Sequence, residues 1–464
     1  MRQAHRRRAI PGAGPKRNRC VTVTEEWRSI VTQVPADSRP FRISDADRAV
    51  LDAVTLSGPD LVARAIAWSE MNSGSTNLPG LAAVANRLTE VLRSFDGEPE
   101  TLSLPDEVRI DARGEAIDSP QGQCLRLRLR PEAPVQVALT GHYDTVFPAD
   151  SPFQTVRQLA NGRLNGPGIA DMKGGISVML GALAAFERHP LASRLGFQVL
   201  LSPDEETGSM GSAALLAELG RNCHIGLTYE PAFSGGSLVS ARKGSGNYHI
   251  AITGRAAHAG RDFASGRNAL VAAARIATDL ADLNGVREGV TINVGRIDGG
   301  GALNAVPDRA VLRLDVRVPD RAGTSWIDEQ VRRVSKAQEG DGISVHVHGG
   351  VHRPAKPFFK AQQDLFGHVR ELGSLLGQPI DWRPSGGVCE GNNLLAQGLP
   401  GIDTLGVRGG DIHSDREFAW PESFVERAKL SALILCKLAA GEIDAQALRA
   451  RLAIEQGDGA GPTG

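Results

Sequence analysis

VQVALTGHYD, residues 135–144, is an apolar run closed by an imidazole and a carboxylate. The same arrangement recurs in FQVLLSPDEE at 197–206, IGLTYEP at 225–231 and IDTLGVRGGDIH at 402–413. Each reads as a strand that ends in metal-capable side chains. In an open α/β sheet, ligands collect beyond the carboxyl ends of the strands. His142 with Asp144, Glu205 with Glu206, Glu230 and His413 are therefore expected to meet in one crevice. Asp171 should join them, at the loop-to-helix junction ahead of GGISVMLGALAAFER (174–188). There Ile176, Met179, Leu180 and Leu183 give a helix one buried face. Two imidazoles with three or four carboxylates suit a two-metal hydrolytic site.

Outward from this centre, strands alternate with helices, which predicts an α/β catalytic domain over 45–240 and 354–450. Residues 45–93 are helix-patterned, with a break expected at Ser57-Gly58-Pro59. Between 241 and 353 the order becomes strand, helix, strand, strand, helix, strand. That is the βαββαβ of a ferredoxin-like unit, inserted into the larger domain. His413 lies beyond the insertion and the other candidates before it, so the site has to be assembled from both halves. The flanks, a basic segment over 1–44 and a polar, glycine-rich one over 451–464, read as disordered tails. The first nineteen residues are basic without an acid and lack the apolar core of a signal peptide; an upstream start codon would also account for them.

The 52 basic and 53 acidic residues nearly balance, which argues against a nucleic-acid partner. No apolar run reaches the length of a transmembrane helix. Five scattered cysteines without a CxxC are expected to be reduced thiols, consistent with a cytoplasmic protein. NGPGIADMKGG and RKGSG lack the spacing of phosphate loops.

Six segments in order, GHYDTV (141–146), NGPGIADMKGG (165–175), DEETGSMGS (204–212), YEP (229–231), RAAHAG (255–260) and IHSD (412–415), resemble the zinc-dependent aminoacylase/carboxypeptidase metallohydrolases of peptidase family M20. That group includes glutamate carboxypeptidase, acetylornithine deacetylase and succinyl-diaminopimelate desuccinylase. The resemblance implies a zinc-peptidase-like catalytic domain with an inserted ferredoxin-like dimerisation domain, and two zinc ions, with cobalt or manganese as possible replacements. It assigns His142, Asp171 and Glu230 to one metal, and His413, Glu206 and Asp171 to the other, with Asp171 bridging and a cis peptide bond after it. Asp144 orients His142, and Glu205 is the general base and acid for a metal-bridging hydroxide attacking an amide carbonyl. His258 polarises that carbonyl, in some relatives at the neighbouring subunit's site; Asn304 positions substrate, and Arg317 pairs with a free carboxylate.

The implied activity is cleavage of N-acyl amino acids or release of a C-terminal amino acid. Glu417-Phe418 after IHSD is similar to the glutamate-carboxypeptidase branch. An acetylornithine-deacetylase or desuccinylase-type deacylase is the alternative, and a non-catalytic binding protein on the same fold is the rival from another class. The chain departs from the pattern at SGGVCEGNN (385–393), where Glu390 stands for the usual Asp beside Cys389. Cys389, with no activating partner near it in sequence, reads as an inert wall residue. A homodimer through the inserted sheet, with NYHIAITG or TINVGRI continuing it across a two-fold axis, is expected from its exposed edges.

Overall fold

The strand Val135–His142 is buried along nearly its whole length. That explains an uninterrupted apolar run: a parallel strand covered on both faces needs no alternation. In space the sheet runs Glu100–Ser103, Gln123–Leu129, Leu195–Ser202, Val135–His142, Ile225–Thr228, Gly401–Ile402. The last four are parallel, so their carboxyl ends open on one edge. On one face Val137, Leu139, Val199 and Leu201 pack with the helices Asp45–Ser69, Lys173–Phe186 and Glu422–Ala440. On the other, Ala138 and Leu200 meet Leu216 and Leu219 of Ala213–Asn222 and Leu394 of Glu390–Ala396. The structure, a computed structural model, describes residues 40–458.

Two expectations change here. Asp45–Ser69 runs unbroken through Pro59, because Val50, Leu51, Val54, Leu61, Ala65 and Trp68 keep one buried face across it. At the other end, Ala445–Asp458 is a helix, so the tail expected from 451 begins no earlier than 459; Leu452 is fully buried. The basic segment lies outside the described residues up to 39. Residues 40–44 do not behave as a tail: Phe41 is buried and Ser44 caps the first helix through a capping box with Asp47.

The segment 244–353 has its own core, in which Tyr248, Ile250, Ala273, Ile276, Leu312, Leu314, Ile327 and Val331 are buried together. Its strands lie in the order Thr291–Gly299, Arg309–Val318, Gly244–Thr253, Ser344–Arg353, all antiparallel, backed by Ala269–Ala281 and Arg321–Lys336. This is the ferredoxin-like order. NYHIAITG is therefore an interior strand, flanked on both sides and unable to extend the sheet; only TINVGRI and the last strand are edges.

The chain enters and leaves this unit through two adjacent crossings. Arg242 and Lys356 exchange main-chain hydrogen bonds of 2.9 Å each way. The Asn392 amide clips both crossings, donating to Lys243 O (3.0 Å) and Pro354 O (2.8 Å). Farther out, a hairpin of strands Glu107–Ile110 and Ala116–Ser119 reaches across to the inserted sheet. Arg313 donates to Ile110 O and Asp111 O, both at 2.9 Å, and Gly114 leaves no room for a side chain against Ala251. Hydrogen bonds from a charged group contribute more than neutral ones. Arg313→Ala is expected to cost about 2 kcal/mol in denaturant unfolding and to speed amide exchange in 107–119. Unchanged exchange there would mean the hairpin is held by something else.

Candidate active site

Every parallel strand of the central sheet delivers its next residues to the same edge. His142 ends its strand opposite Ser202, and Tyr143 N donates to Ser202 O, which carries the chain toward Glu205. Glu230 follows Ile225–Thr228 by two residues. Asp171 sits just before Lys173–Phe186, and the Asp171–Met172 peptide bond is cis. His413 arrives differently from its expected strand end. The run 402–413 is two short strands, Gly401–Ile402 and Arg408–Gly410, and the second belongs to a separate five-stranded sheet. His413 lies in the turn after it, at φ 61°.

These side chains come together. Asp171 Oδ1 is 3.1 Å from His142 Nε2, and Asp171 Oδ2 is 3.3 Å from His413 Nε2. Glu206 Oε2 is 3.2 Å from His413 Nε2. Glu230 Oε1 is 3.8 Å from His142 Nε2, buried and without a hydrogen-bond partner. A buried carboxylate oxygen left unpaired is costly unless something binds it. The two imidazoles and three carboxylates gathered along this edge fit a pair of borderline cations. Asp47, His189 and Cys436 form another trio of possible ligands, but the Lys437 ammonium, 2.9 Å from Asp47, already supplies the positive charge there.

Asp144 does more than face His142 Nδ1 at 3.3 Å. Its carboxylate accepts from Glu205 N and Glu206 N, both at 3.1 Å, and from Ser75 Oγ at 2.7 Å. One buried residue thus ties the imidazole to the loop carrying both glutamates. That loop is a short 3-10 turn, Glu205–Thr207, rather than an extended segment, yet the two side chains still diverge. Glu206 turns to His413 and Glu205 to Arg353. The Arg353 guanidinium contacts Glu205 Oε1 and donates to Glu205 O and Ser209 Oγ, both at 2.7 Å.

The electrostatics follow from packing acids together. Burial, then the Asp171 charge, pushes Glu206 up to about 7 and Glu230 well above its ordinary value. Burial opposes the charge on Asp171 as well, but the two imidazoles hold it well below the usual carboxylate range. Hydrogen bonds to Asp171 and Glu206 raise His413 to about 11. Groups with raised values hold protons near neutrality that a cation has to displace. Cation affinity is therefore expected to rise from about pH 6 to about pH 8, with proton release on binding measurable by calorimetry in buffers of different ionisation enthalpy.

The ligand candidates open into a cleft of about 650 Å³. Its far wall belongs to the inserted unit: Ser245, Asn247, Asp315, Arg317, His352 and Arg353. Arg317 is there as expected, but its fork is engaged with Asp315 at 2.9 and 3.0 Å. His258 and Asn304 are elsewhere. They neighbour each other, with Ala259 N donating to Asn304 O at 2.8 Å, and both are exposed outside this cleft. Leu303 beside them is fully exposed.

Sequence reasoning missed Arg353, Arg242 and the second role of Glu417. Arg242 lines the cleft while sharing Asp403 with Lys356, at 2.8 and 3.1 Å. Glu417 accepts from Gly168 N, Ala170 N and Asp171 N at 2.9–3.0 Å, holding the Asp171 loop. Nothing in HRP or ARKG distinguishes these cations from surface ones; Glu417 could have been found from its place beside IHSD. At the divergent 385–393 loop, Gly387 and Val388 line the cleft, while Glu390 is buried behind it against Ser202 Oγ. Cys389 is fully buried, and burial pushes its thiol well above the ordinary value, which leaves no thiolate nucleophile there.

A mixed α/β fold with acids and imidazoles at the carboxyl edge of its central sheet, plus a ferredoxin-like insertion, is an architecture suited to a metallohydrolase. The sequence profile of peptidase family M20/M25/M40 matches residues 138–437, and the chain belongs to that family, a hydrolase acting on C–N bonds. It is 27% identical to carboxypeptidase G2 of Pseudomonas sp. (strain RS-16) over 410 residues, 85% of this chain and 93% of that one. It is 32% identical to succinyl-diaminopimelate desuccinylase of Gluconobacter oxydans (strain 621H) over 219 residues, 42% of this chain and 56% of the other. In fold it is similar to a tripeptidase from Staphylococcus aureus (TM-score 0.64, 21% identity, 82% of this chain and 99% of that one). It is likewise similar to the di-peptidase Dug1p from Saccharomyces cerevisiae (TM-score 0.65, 14% identity, 85% and 98%).

Proposed function

We propose that this protein is a di-zinc amidohydrolase of the glutamate-carboxypeptidase type, releasing a C-terminal amino acid or cleaving an N-acyl amino acid. One observation carries the reading: the two oxygens of Asp171 face two different imidazoles, the arrangement a carboxylate needs to bridge two cations. His142, Asp171 and Glu230 would hold one ion, and His413, Glu206 and Asp171 the other. Bound there, zinc would activate water and polarise the amide carbonyl. Glu205 takes the proton from the attacking water and passes it to the leaving nitrogen. Asp144 keeps His142 and both glutamates in register, and Arg317 exchanges Asp315 for the substrate carboxylate. Metal analysis alongside a hydrolysis screen of N-acyl amino acids and dipeptides tests this. Bound metal with no amide cleavage would overturn it. A desuccinylase-type deacylase is the second reading, supported by the likeness to the Gluconobacter enzyme over 219 residues; succinylated substrates in the same screen decide between the two.

The exposed positions of His258 and Asn304 support a homodimer in which they serve the partner's cleft. The edge strand Thr291–Gly299 offers the pairing surface, with Ile297 partly exposed on it. Ile297→Lys is expected to give a monomer by sedimentation that keeps its metal and loses activity. A fully active monomer would overturn the dimer and leave the catalytic reading intact. The cysteines Cys124, Cys223, Cys389 and Cys436 are free and buried, which supports a reducing, cytoplasmic location. Among the described residues no helix is long and apolar enough to cross a membrane.

A further inference from the structure

Strand Ser344–Arg353 pairs with Gly244–Thr253 in a regular antiparallel register until its last residues. Gly246 opposes Val351 and Ser245 opposes Arg353, so His352 has no partner of its own. It is the extra residue of a β-bulge. Successive strand residues point to opposite faces, and a bulge cancels one such step. His352 and Arg353 consequently both line the cleft, when strict alternation would turn one of them into the hydrophobic core. Bulges beside active sites re-aim side chains in this way.

The two residues are used differently. Arg353 is committed to Glu205 and Ser209, whereas His352 is joined by a side-chain hydrogen bond to neither glutamate. Its ring packs on the backbone of the loop that follows them. A Cβ on Gly208 would lie 2.9 Å from His352 Nε2, which places the ring tip against this loop, and φ +109° at Gly208 is a backbone that requires glycine. Asn247, Asp315 and Arg317 complete the surrounding wall. Burial, then the neighbouring Arg353 charge, lowers the His352 pKa, so the ring is neutral at neutral pH; its single N–H is drawn to the Gly350 backbone, a hydrogen bond that a substrate oxygen would replace.

We propose that His352 determines specificity by donating a hydrogen bond, within its own chain's cleft, to a substrate oxygen: the carboxylate or amide carbonyl of the N-acyl amino acid or peptide. This rests on the amide-hydrolysing reading of the cleft. It differs from the part given to His258, which acts in the partner's cleft.

The test uses the full-length, zinc-loaded enzyme with N-acetyl amino acids and glutamate-terminated dipeptides. His352→Ala is expected to raise KM about tenfold, the loss of one hydrogen bond, with kcat changed by less than about threefold. Zinc content and unfolding midpoint should stay at wild-type values, and His352→Gln, which can still donate, should recover most of the KM. An unchanged KM in His352→Ala, or equal losses in the Ala and Gln variants, overturns the assignment. So does a parallel fall in kcat, zinc and stability, which would mark a purely structural residue. A zinc-loaded wild type that cleaves nothing in the panel removes the amide reading, and this assignment with it.

Discussion

Glu205→Gln is expected to retain both metal ions and the fold while losing about 10²–10⁴-fold in turnover. The residue lines the cleft beside the candidate metal ligands. Its backbone is anchored by Asp144, and its carboxylate faces the cleft away from the His413–Glu206 pair. Gln fills the same volume and still accepts from Arg353, but cannot take a proton from water. Glu205→Ala should lose as much turnover and be less stable as well. It leaves the Arg353 guanidinium, only 2% exposed, with the Glu205 main-chain oxygen and Ser209 but no counter-charge. Stranding a buried charge costs about 3–5 kcal/mol when no other partner remains, which sets an upper bound here. Steady-state kinetics, metal analysis and denaturant unfolding separate the two variants. Metal loss in Glu205→Gln would mean that Glu205 and Glu206 have exchanged roles.

Asp171→Ala is expected to empty both metal positions and abolish activity. It removes the carboxylate whose two oxygens face the two imidazoles, and with it the only group, among the described residues, placed to be shared by both cations. Replacing an outer partner of a metal ligand typically weakens binding about 10–100-fold, so Asp144→Asn should fall in that range and Asp171→Ala well beyond it. His413→Ala should remove one ion and retain the other on His142, Asp171 and Glu230. Equal metal content in wild type and Asp171→Ala would refute the bridging assignment.

The segments that made the site legible are those in which chemistry sits directly against a strand or helix signal. VQVALTGHYD and IGLTYEP are read correctly because a buried parallel strand has to be apolar throughout and has to end at the ligand edge. The six elements of the inserted unit are legible because helix and strand periods alternate along it, even though bulges break the strand period in Thr291–Gly299 and Ser344–Arg353. Ser57-Gly58-Pro59 is local punctuation that does not end the helix, because the buried face of Asp45–Ser69 continues through it. Residues 451–458 look like tail by composition only when taken together with the glycine-rich stretch that follows; by themselves they complete the helix Ala445–Asp458.

From sequence alone come the family and the candidate ligand residues, since these rest on residue types at short spacings. Tertiary structure decided everything that depends on which distant residues meet. Arg353 reaches Glu205 across 148 positions and Glu417 reaches the Asp171 loop across 246. The bulge that turns His352 into the cleft is a property of strand pairing, and pairing has no signature in either strand by itself. The same physics removed NYHIAITG from the sheet edge: its own residues suit an edge and an interior strand equally, and only its two neighbours determine which it becomes.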